Sequence, residues 1–247
     1  NSEVIEIKVD AVGAVQSVEI NDEIIPVEKL ISGADYQHSE SLLPTKYQAY
    51  SEKYWDKRVM APSSLLFFVG FNKKLKNVLH HTLFFDTSFD NHASEIYDNP
   101  AWPKEPMFYA SFATKSEEEM APAGKEAATF LIPLAPDLED TEEMREKYFK
   151  IILERLENLT DQNLSDSVEF VKSYCVQDFK DDYHSYKGNA YGMANTLMQT
   201  AFLRPKLRSK KVKNLYFTGQ LTVPGPGVPP SLISGKLVSD LILNETK

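Results

Sequence analysis

The chain has 247 residues, of which 42% are hydrophobic and 26% charged, enough for a sizeable core in one domain or a little more. A formal net charge of −9 and a pI near 5.1 exclude a generally basic surface for nucleic-acid phosphates and give no overall attraction to anionic lipid. A single cysteine, Cys175, excludes an internal disulfide and a Cys-based zinc site, and fits a reducing cytoplasm.

Alternation over residues 4–9 and again over 15–20, with Gly13 in the turn between, predicts strands. Asn21-Asp22 turns the chain into Glu23 to Val27, which completes a β-meander. The chain continues through Leu30-Ile31 to Gly33-Ala34-Asp35. Residues 39–60 read as helix, with Tyr47, Tyr50, Tyr54 and Trp55 at helix-face spacings and Pro62 as the stop. Strands are predicted at 64–71, 81–86, 107–114 and 127–134, with a short helix from His92 to Tyr97. Asp140 to Leu159 is the clearest helix. Asp140 and Glu143 form a D-x-x-E start, and Met144, Tyr148, Ile151, Ile152, Leu156 and Leu159 form one stripe. A strand over 168–176, a short helix over 177–184 and a helix from Gly192 to Phe202 follow. The basic run Arg204 to Lys213 precedes a final strand and helix. No apolar run approaches the roughly 18–20 residues of a membrane-spanning helix. Grouped strands with interspersed helices predict an α/β protein, a mixed sheet layered with helices.

The most specific chemistry lies between Leu215 and Leu243. An apolar strand runs through Gly219-Gln220 into Val223-Pro-Gly-Pro-Gly-Val-Pro-Pro230 and then a helix. Gly225 and Gly227 permit positive φ or close backbone approach to a ligand. Pro229 or Pro230 suits a first helical turn, whose N–H groups and dipole favour negative charge or an electron-rich oxygen. The competing reading is a rigid structural turn. Asp35 is either a site residue or a helix N-cap. His80 and His81, adjacent on a strand, point to opposite faces and do not suit one metal ion. Cys175 reads as a small core residue, and Lys187-Gly188-Asn189 as a turn and cap. Tyr50, Tyr54, Phe67 and Phe68 are candidates for an apolar lining or for core.

Asn214 to Gly235 closely resembles the C-terminal flavin-contacting segment of the bacterial-type phytoene desaturases, FAD-dependent oxidoreductases of the amine-oxidase-like superfamily. Tyr186 to Pro205 resembles the preceding segment of that family. Ala61 to Gly70 and Leu79 to Phe85 resemble its mid-chain strands, and Ile31 to His38 the strand that re-enters its flavin domain. In this order the motifs cover essentially the whole chain. The family also carries a G-x-G-x-x-G unit that seats the FAD pyrophosphate, and this chain has no such arrangement among its ten glycines.

The resemblance implies a C-terminal portion of a longer enzyme. Residues 1–35 are expected to be the meander and re-entrant strand of a Rossmann-like FAD domain, 36–190 a substrate-binding domain, and 191–247 the flavin-contacting strand, loop and helix. It implies FAD contacts at Gly219, Gln220, Pro224, Gly225, Gly227, Val228 and Pro229, with Asp35 beside them. Gly219 and Gln220 are expected on the ribityl-phosphate side. The N–H groups from Val228 to Ser231 are expected to face the ring. No metal and no catalytic side chain is assigned, because the flavin itself accepts the hydride. The implied substrate is a hydrophobic polyene, dehydrogenated by the full-length protein; the isolated piece is expected to be inactive. A polyene substrate implies peripheral membrane contact, for which the aromatic cluster Tyr47 to Trp55 is a candidate. The alternatives are an FAD oxidoreductase acting on another isoprenoid, as isomerase, oxygenase or saturase, and a non-catalytic binding module.

Overall fold

The computed structural model describes residues 2–245. In chain order the elements are β1 (Val4–Val9), β2 (Val15–Ile20), β3 (Glu23–Pro26), β4 (Leu30–Ser32), α1 (Tyr36–Ser41), α2 (Glu52–Asp56), β5 (Ser63–Phe71), β6 (His81–Phe84), α3 (Phe89–Tyr97), β7 (Phe108–Phe112), β8 (Glu126–Leu134), α4 (Glu142–Thr160), β9 (Val168–Tyr174), α5 (Val176–Tyr183), β10 (Leu215–Phe217) and α6 (Val228–Glu245). They fall into two compact units, and the mixed α/β class is as expected.

The first unit is built from the chain up to Ala61, from Asp181–Tyr186 and from Tyr191 onward. Residues 36–61 pack in this unit with the two ends of the chain. Its meander pairs β1–β2–β3 antiparallel. A separate parallel pair joins β4 to β10, with Leu30 opposite Leu215 and Ser32 opposite Phe217. Asn214 ties the two sheets. Its amide donates to Val15 O (3.0 Å) and Glu28 O (2.7 Å), and its Oδ1 accepts from Val15 N (2.6 Å).

Residues 39–60 are not one helix. Pro44 cannot donate within a helix, and Ser51 starts a new helix by accepting from Tyr54 N. The result is α1, a 3-10 turn at Thr45–Tyr47 and α2. The path folds its aromatic residues inward: Tyr36 stacks on Phe217 at 3.8 Å, Tyr50 packs edge to face on Tyr36, and Trp55 packs against Tyr36, Tyr50 and Tyr54. Tyr50 and Trp55 are buried, so the cluster proposed for membrane contact is core. The helix expected from Gly192 to Phe202 is also absent. Gly192 has φ +86°, Met193 bridges to Met60, and only 3-10 turns at Leu197–Gln199 and Ala201–Leu203 follow. The Gln199 side chain replaces helical pairing by accepting from Val59 N (2.9 Å) and donating to Val59 O (2.8 Å).

The second unit holds Pro62–Lys180 and Lys187–Ala190. Its five-stranded antiparallel sheet has the order β6-β7-β8-β5-β9. β5 and β8 pair along their whole length, from Ser63 opposite Leu134 to Phe71 opposite Glu126. The period of two puts Leu65, Phe67, Val69 and Phe71 into the core with Phe130, Ile132 and Leu134. Phe68, on the opposite face, is exposed. Tyr148, Ile152 and Leu156 of α4 join the same core, whereas Leu159 is half-exposed. Thr141, not Asp140, caps α4 by accepting from Met144 N. Asp140 instead pairs with Arg145 at 2.6 Å and accepts from Gln177 N.

Gly188 shows what the Lys187-Gly188-Asn189 turn requires. Its φ is +61°, and a Cβ there would lie 2.5 Å from Val176 O. Its own carbonyl accepts from Ser63 Oγ at 2.5 Å. Together these hold the turn against β5.

Candidate cofactor site

β10 leads through Thr218 into the loop of residues 219–227, and α6 begins at Val228. Hydroxyl groups pin the start of the loop to α6. Ser234 Oγ donates to Ser231 O (2.7 Å), so it accepts from Thr218 Oγ1 (2.6 Å) and from the Gly219 N–H (2.8 Å). Thr222 Oγ1 donates to Gly219 O at 2.8 Å. Ser234 and Thr222 are fully buried. The N–H of Gly219, a residue expected to contact FAD, is thus committed internally. The Gln220 carbonyl is likewise taken by Arg204.

The loop bends through a cis Val223–Pro224 bond and three glycines at positive φ: Gly219 (+102°), Gly225 (+129°) and Gly227 (+112°). Gly225 is buried, while Pro224 and Gly227–Pro229 lie at the surface. The helix start differs from the expected array of donors. Pro229 and Pro230 carry no N–H, and the Ser231 N–H donates to Gly227 O at 3.0 Å. The donors left at this helix start belong to Gly227 and Val228. Outward presentation of the N–H groups expected from Val228 to Ser231 thus narrows to one edge.

Beneath Gly225 lies Arg204, a residue that the linear sequence did not single out from its basic run. It follows the Ala201–Leu203 turn and is 2% exposed. Its Nη2 donates to Met193 O (2.8 Å) and Asn195 Oδ1 (2.6 Å), and its Nη1 to Gln220 O (3.2 Å). A Cβ on Gly225 would come within 3.1 Å of both Arg204 Nη2 and Asn195 Oδ1. A glycine is therefore required at this close approach. One signal in the sequence marks the region: residues 183–239 contain no Asp or Glu, in a chain of net charge −9.

Asp35 is the N-cap of α1. Oδ1 accepts from Gln37 N (2.9 Å) and His38 N (3.3 Å), and Oδ2 from Tyr186 N (3.1 Å). Burial pushes its carboxyl pKa up, against these bonds. Both oxygens serve the fold, so the capping reading of Asp35 holds. His80 and His81 do not point to opposite faces: His80 lies just before β6, their rings stack at 4.2 Å, and their Nδ1 atoms meet Ser116 Oγ and Tyr109 OH. Among the described residues, no group of His, Cys, Asp and Glu is placed to hold a metal ion. Cys175 is fully buried in the second core, and burial pushes its thiol up to about 12.

The second unit has an apolar groove of its own. Side chains including Leu83, Phe85, Phe89, Ile96 and Met107 line a cavity of about 310 Å³ between α3 and the sheet. His92 closes its floor. Its Nδ1 accepts from Met107 N (3.1 Å), which leaves Nε2 to donate to Pro133 O (2.9 Å). The ring is held neutral, and burial pushes its pKa below the ordinary histidine value.

The chain is 38% identical over 219 residues to a carotenoid 3,4-desaturase from Haloarcula japonica, covering 88% of this chain and 44% of that protein. It is a relative of the carotenoid desaturases. A 4,4′-diapophytoene desaturase from Staphylococcus haemolyticus is 30% identical over 92% of this chain and 47% of its own length. A zeta-carotene-forming phytoene desaturase from Myxococcus xanthus is 27% identical over 90% and 43%. The chain thus spans less than half the length of these relatives. No family model matches it. Among solved structures, an oxidoreductase from Methanosarcina mazei superposes with a TM-score of 0.63 at 15% identity, over 97% of this chain and 49% of that one. A predicted protoporphyrinogen oxidase from Exiguobacterium sp. gives 0.62 at 12% identity, over 98% and 47%. At these identities the structures establish the fold alone.

Proposed function

We propose that this chain forms the loop-and-helix wall of the cofactor site, together with the substrate-facing unit, of an FAD-dependent carotenoid desaturase. The observation that carries the reading is the 38% identity to a carotenoid desaturase across 88% of the chain. The loop supplies a physical fit. Gly227 and Val228 hold the N–H groups of a helix start at the surface, where they favour an electron-rich oxygen. Gly227, at positive φ, keeps the approach free of side chain; a Cβ at this position would have Pro230 Cδ, 3.4 Å away, as its nearest neighbour. Flavin, when bound, supplies the acceptor for the hydride that leaves the substrate.

The residues of this chain orient and insulate. Thr218 and Ser234 fix the start of the loop to α6 and Thr222 closes the loop on Gly219 O, so that the two donors are pre-organised. Pro229 and Pro230 keep further donors, and the water they would hold, away from the helix start. For the second unit, we propose a substrate-binding role. Its groove of about 310 Å³ presents hydrocarbon side chains that suit a segment of polyene. A polyene resides in the bilayer, and no helix among the described residues is long and apolar enough to cross a membrane. Contact of the full-length protein with the membrane follows from the residence of its proposed substrate there.

The test is purification of the full-length protein, followed by its absorption spectrum and anaerobic incubation with phytoene-type polyenes. Flavin bleaching together with lengthening of the conjugated chromophore is expected. A colourless protein, or bound flavin unaffected by any such polyene, refutes the reading.

A further inference from the structure

Arg204 is a buried cation with no anion beside it. Three acceptors meet its guanidinium, and all are neutral: two backbone carbonyls and the Asn195 amide. Its Nε is buried without an acceptor among the described residues. No ion pair within hydrogen-bonding range involves it there, in contrast to Arg208, which pairs with Glu245 at 2.8 Å. The absence of Asp and Glu from residues 183–239 removes any local source of compensation.

Such an arrangement opposes folding, because a charge taken from water without a partner loses its hydration. A neutral donor could hold the same three acceptors. The charge itself therefore needs a reason. Burial also sharpens its reach, since the low local dielectric weakens screening. The guanidinium lies directly under Gly225, within the loop whose surface edge carries the Gly227 and Val228 donors.

We propose that Arg204 is a positioning residue for the redox reaction: it clamps the Met193–Asn195 and Gln220 backbone beneath the loop, and its uncompensated charge favours the reduced, electron-rich state of the flavin held there. This rests on the reading that the loop contacts flavin. The overall chemistry is unchanged. Two electrons and a proton leave the substrate as hydride and a second proton is released, while Arg204 stays protonated throughout.

The experiment uses the full-length flavoprotein and measures midpoint potential, flavin stoichiometry and melting temperature together. Asn195→Asp is near-isosteric, keeps the 2.6 Å contact and places a negative charge against Arg204. Arg204→Gln retains donors and removes the charge. Both are expected to shift the reduction equilibrium about tenfold toward oxidised flavin, a fall of about 30 mV for a two-electron couple. Arg204→Lys keeps the charge and loses the planar fork. Its potential is expected to stay near wild type while flavin content falls. A wild-type potential in either charge-neutralised protein overturns the proposal. So does an equal fall in all three variants, which marks a structural clamp alone. A wild-type protein that carries no flavin overturns the flavin reading and this proposal with it, whereas a yellow wild type with unresponsive variants overturns the proposal alone.

Discussion

Replacing Gly227 by Val separates a ligand-contacting loop from a rigid turn. Gly227 sits at φ +112°, a region that residues with a Cβ rarely enter. A Cβ would meet only Pro230, at 3.4 Å and 3.6 Å, which is ordinary to slightly tight contact. The cost to the fold is therefore backbone strain, about 1–3 kcal/mol. For a chain of this size that lowers Tm by about 2–12 °C, at roughly 2–4 °C per kcal/mol, and by less in the longer full-length protein. A typical margin of about 5–15 kcal/mol leaves the protein folded. The consequence for binding is larger, because the new side chain stands on the exposed edge beside the Val228 donor. Flavin stoichiometry of the full-length Gly227→Val protein is expected to fall close to zero, with melting still cooperative. Absorbance at the flavin band and thermal melting on one preparation provide the assay. Full flavin content in a destabilised protein would refute the placement of the loop against the cofactor.

Four further outcomes are expected. Equilibrium dialysis of this 247-residue chain with FAD is expected to show weak binding or none, since the chain lacks the glycine fingerprint that seats the pyrophosphate; sub-micromolar affinity contradicts this. Gly188→Ala combines positive φ with a 2.5 Å approach to Val176 O, and is expected to destabilise by at least about 3 kcal/mol in a denaturant titration. His92 has a lowered pKa in the fold, so the unfolded chain takes up a proton first as pH falls below about 6.5. Stability is therefore complete above that pH and declines below it, and His92→Gln is expected to flatten this slope in melts between pH 7.5 and 5. Full-length protein is expected to pellet with liposomes, and Tyr54→Leu to leave pelleting intact while lowering Tm, because Tyr54 packs in the first core.

The second unit was the more legible part of the sequence. Strands β5 and β8 announce themselves because alternate residues face one core, as Leu65, Phe67, Val69 and Phe71 do. The stripe of α4 was legible for the same reason, apart from Leu159. Legibility failed where side chains replace backbone pairing. Gln199 satisfies Val59 from a distance of 140 residues, and no local period records that. Tyr50 and Trp55 fall within one helix-like pattern but point inward from the bend before α2 and from α2 itself. At the candidate site, the Pro/Gly composition revealed the loop. The internal use of the Gly219 N–H and the capping use of Asp35 depended on partners distant in sequence. Arg204 was hidden for a related reason: an arginine in a basic run looks solvated until it proves to be buried among neutral acceptors.

The parallel pairing of β4 with β10 also bears on the order of events during synthesis. β4 ends at Ser32, whereas its partner Leu215–Phe217 comes about 180 residues later. At roughly 5–20 residues per second on the ribosome, β4 waits on the order of 10–40 s for its partner. Nearly all of the second unit, Pro62–Lys180, emerges during that interval as one continuous stretch. It can collapse while the first unit still holds open an edge of exposed amides and the apolar side chains of its unfinished core. Nascent chains halted before residue 215 are therefore the species most exposed to chaperone capture and edge-to-edge aggregation.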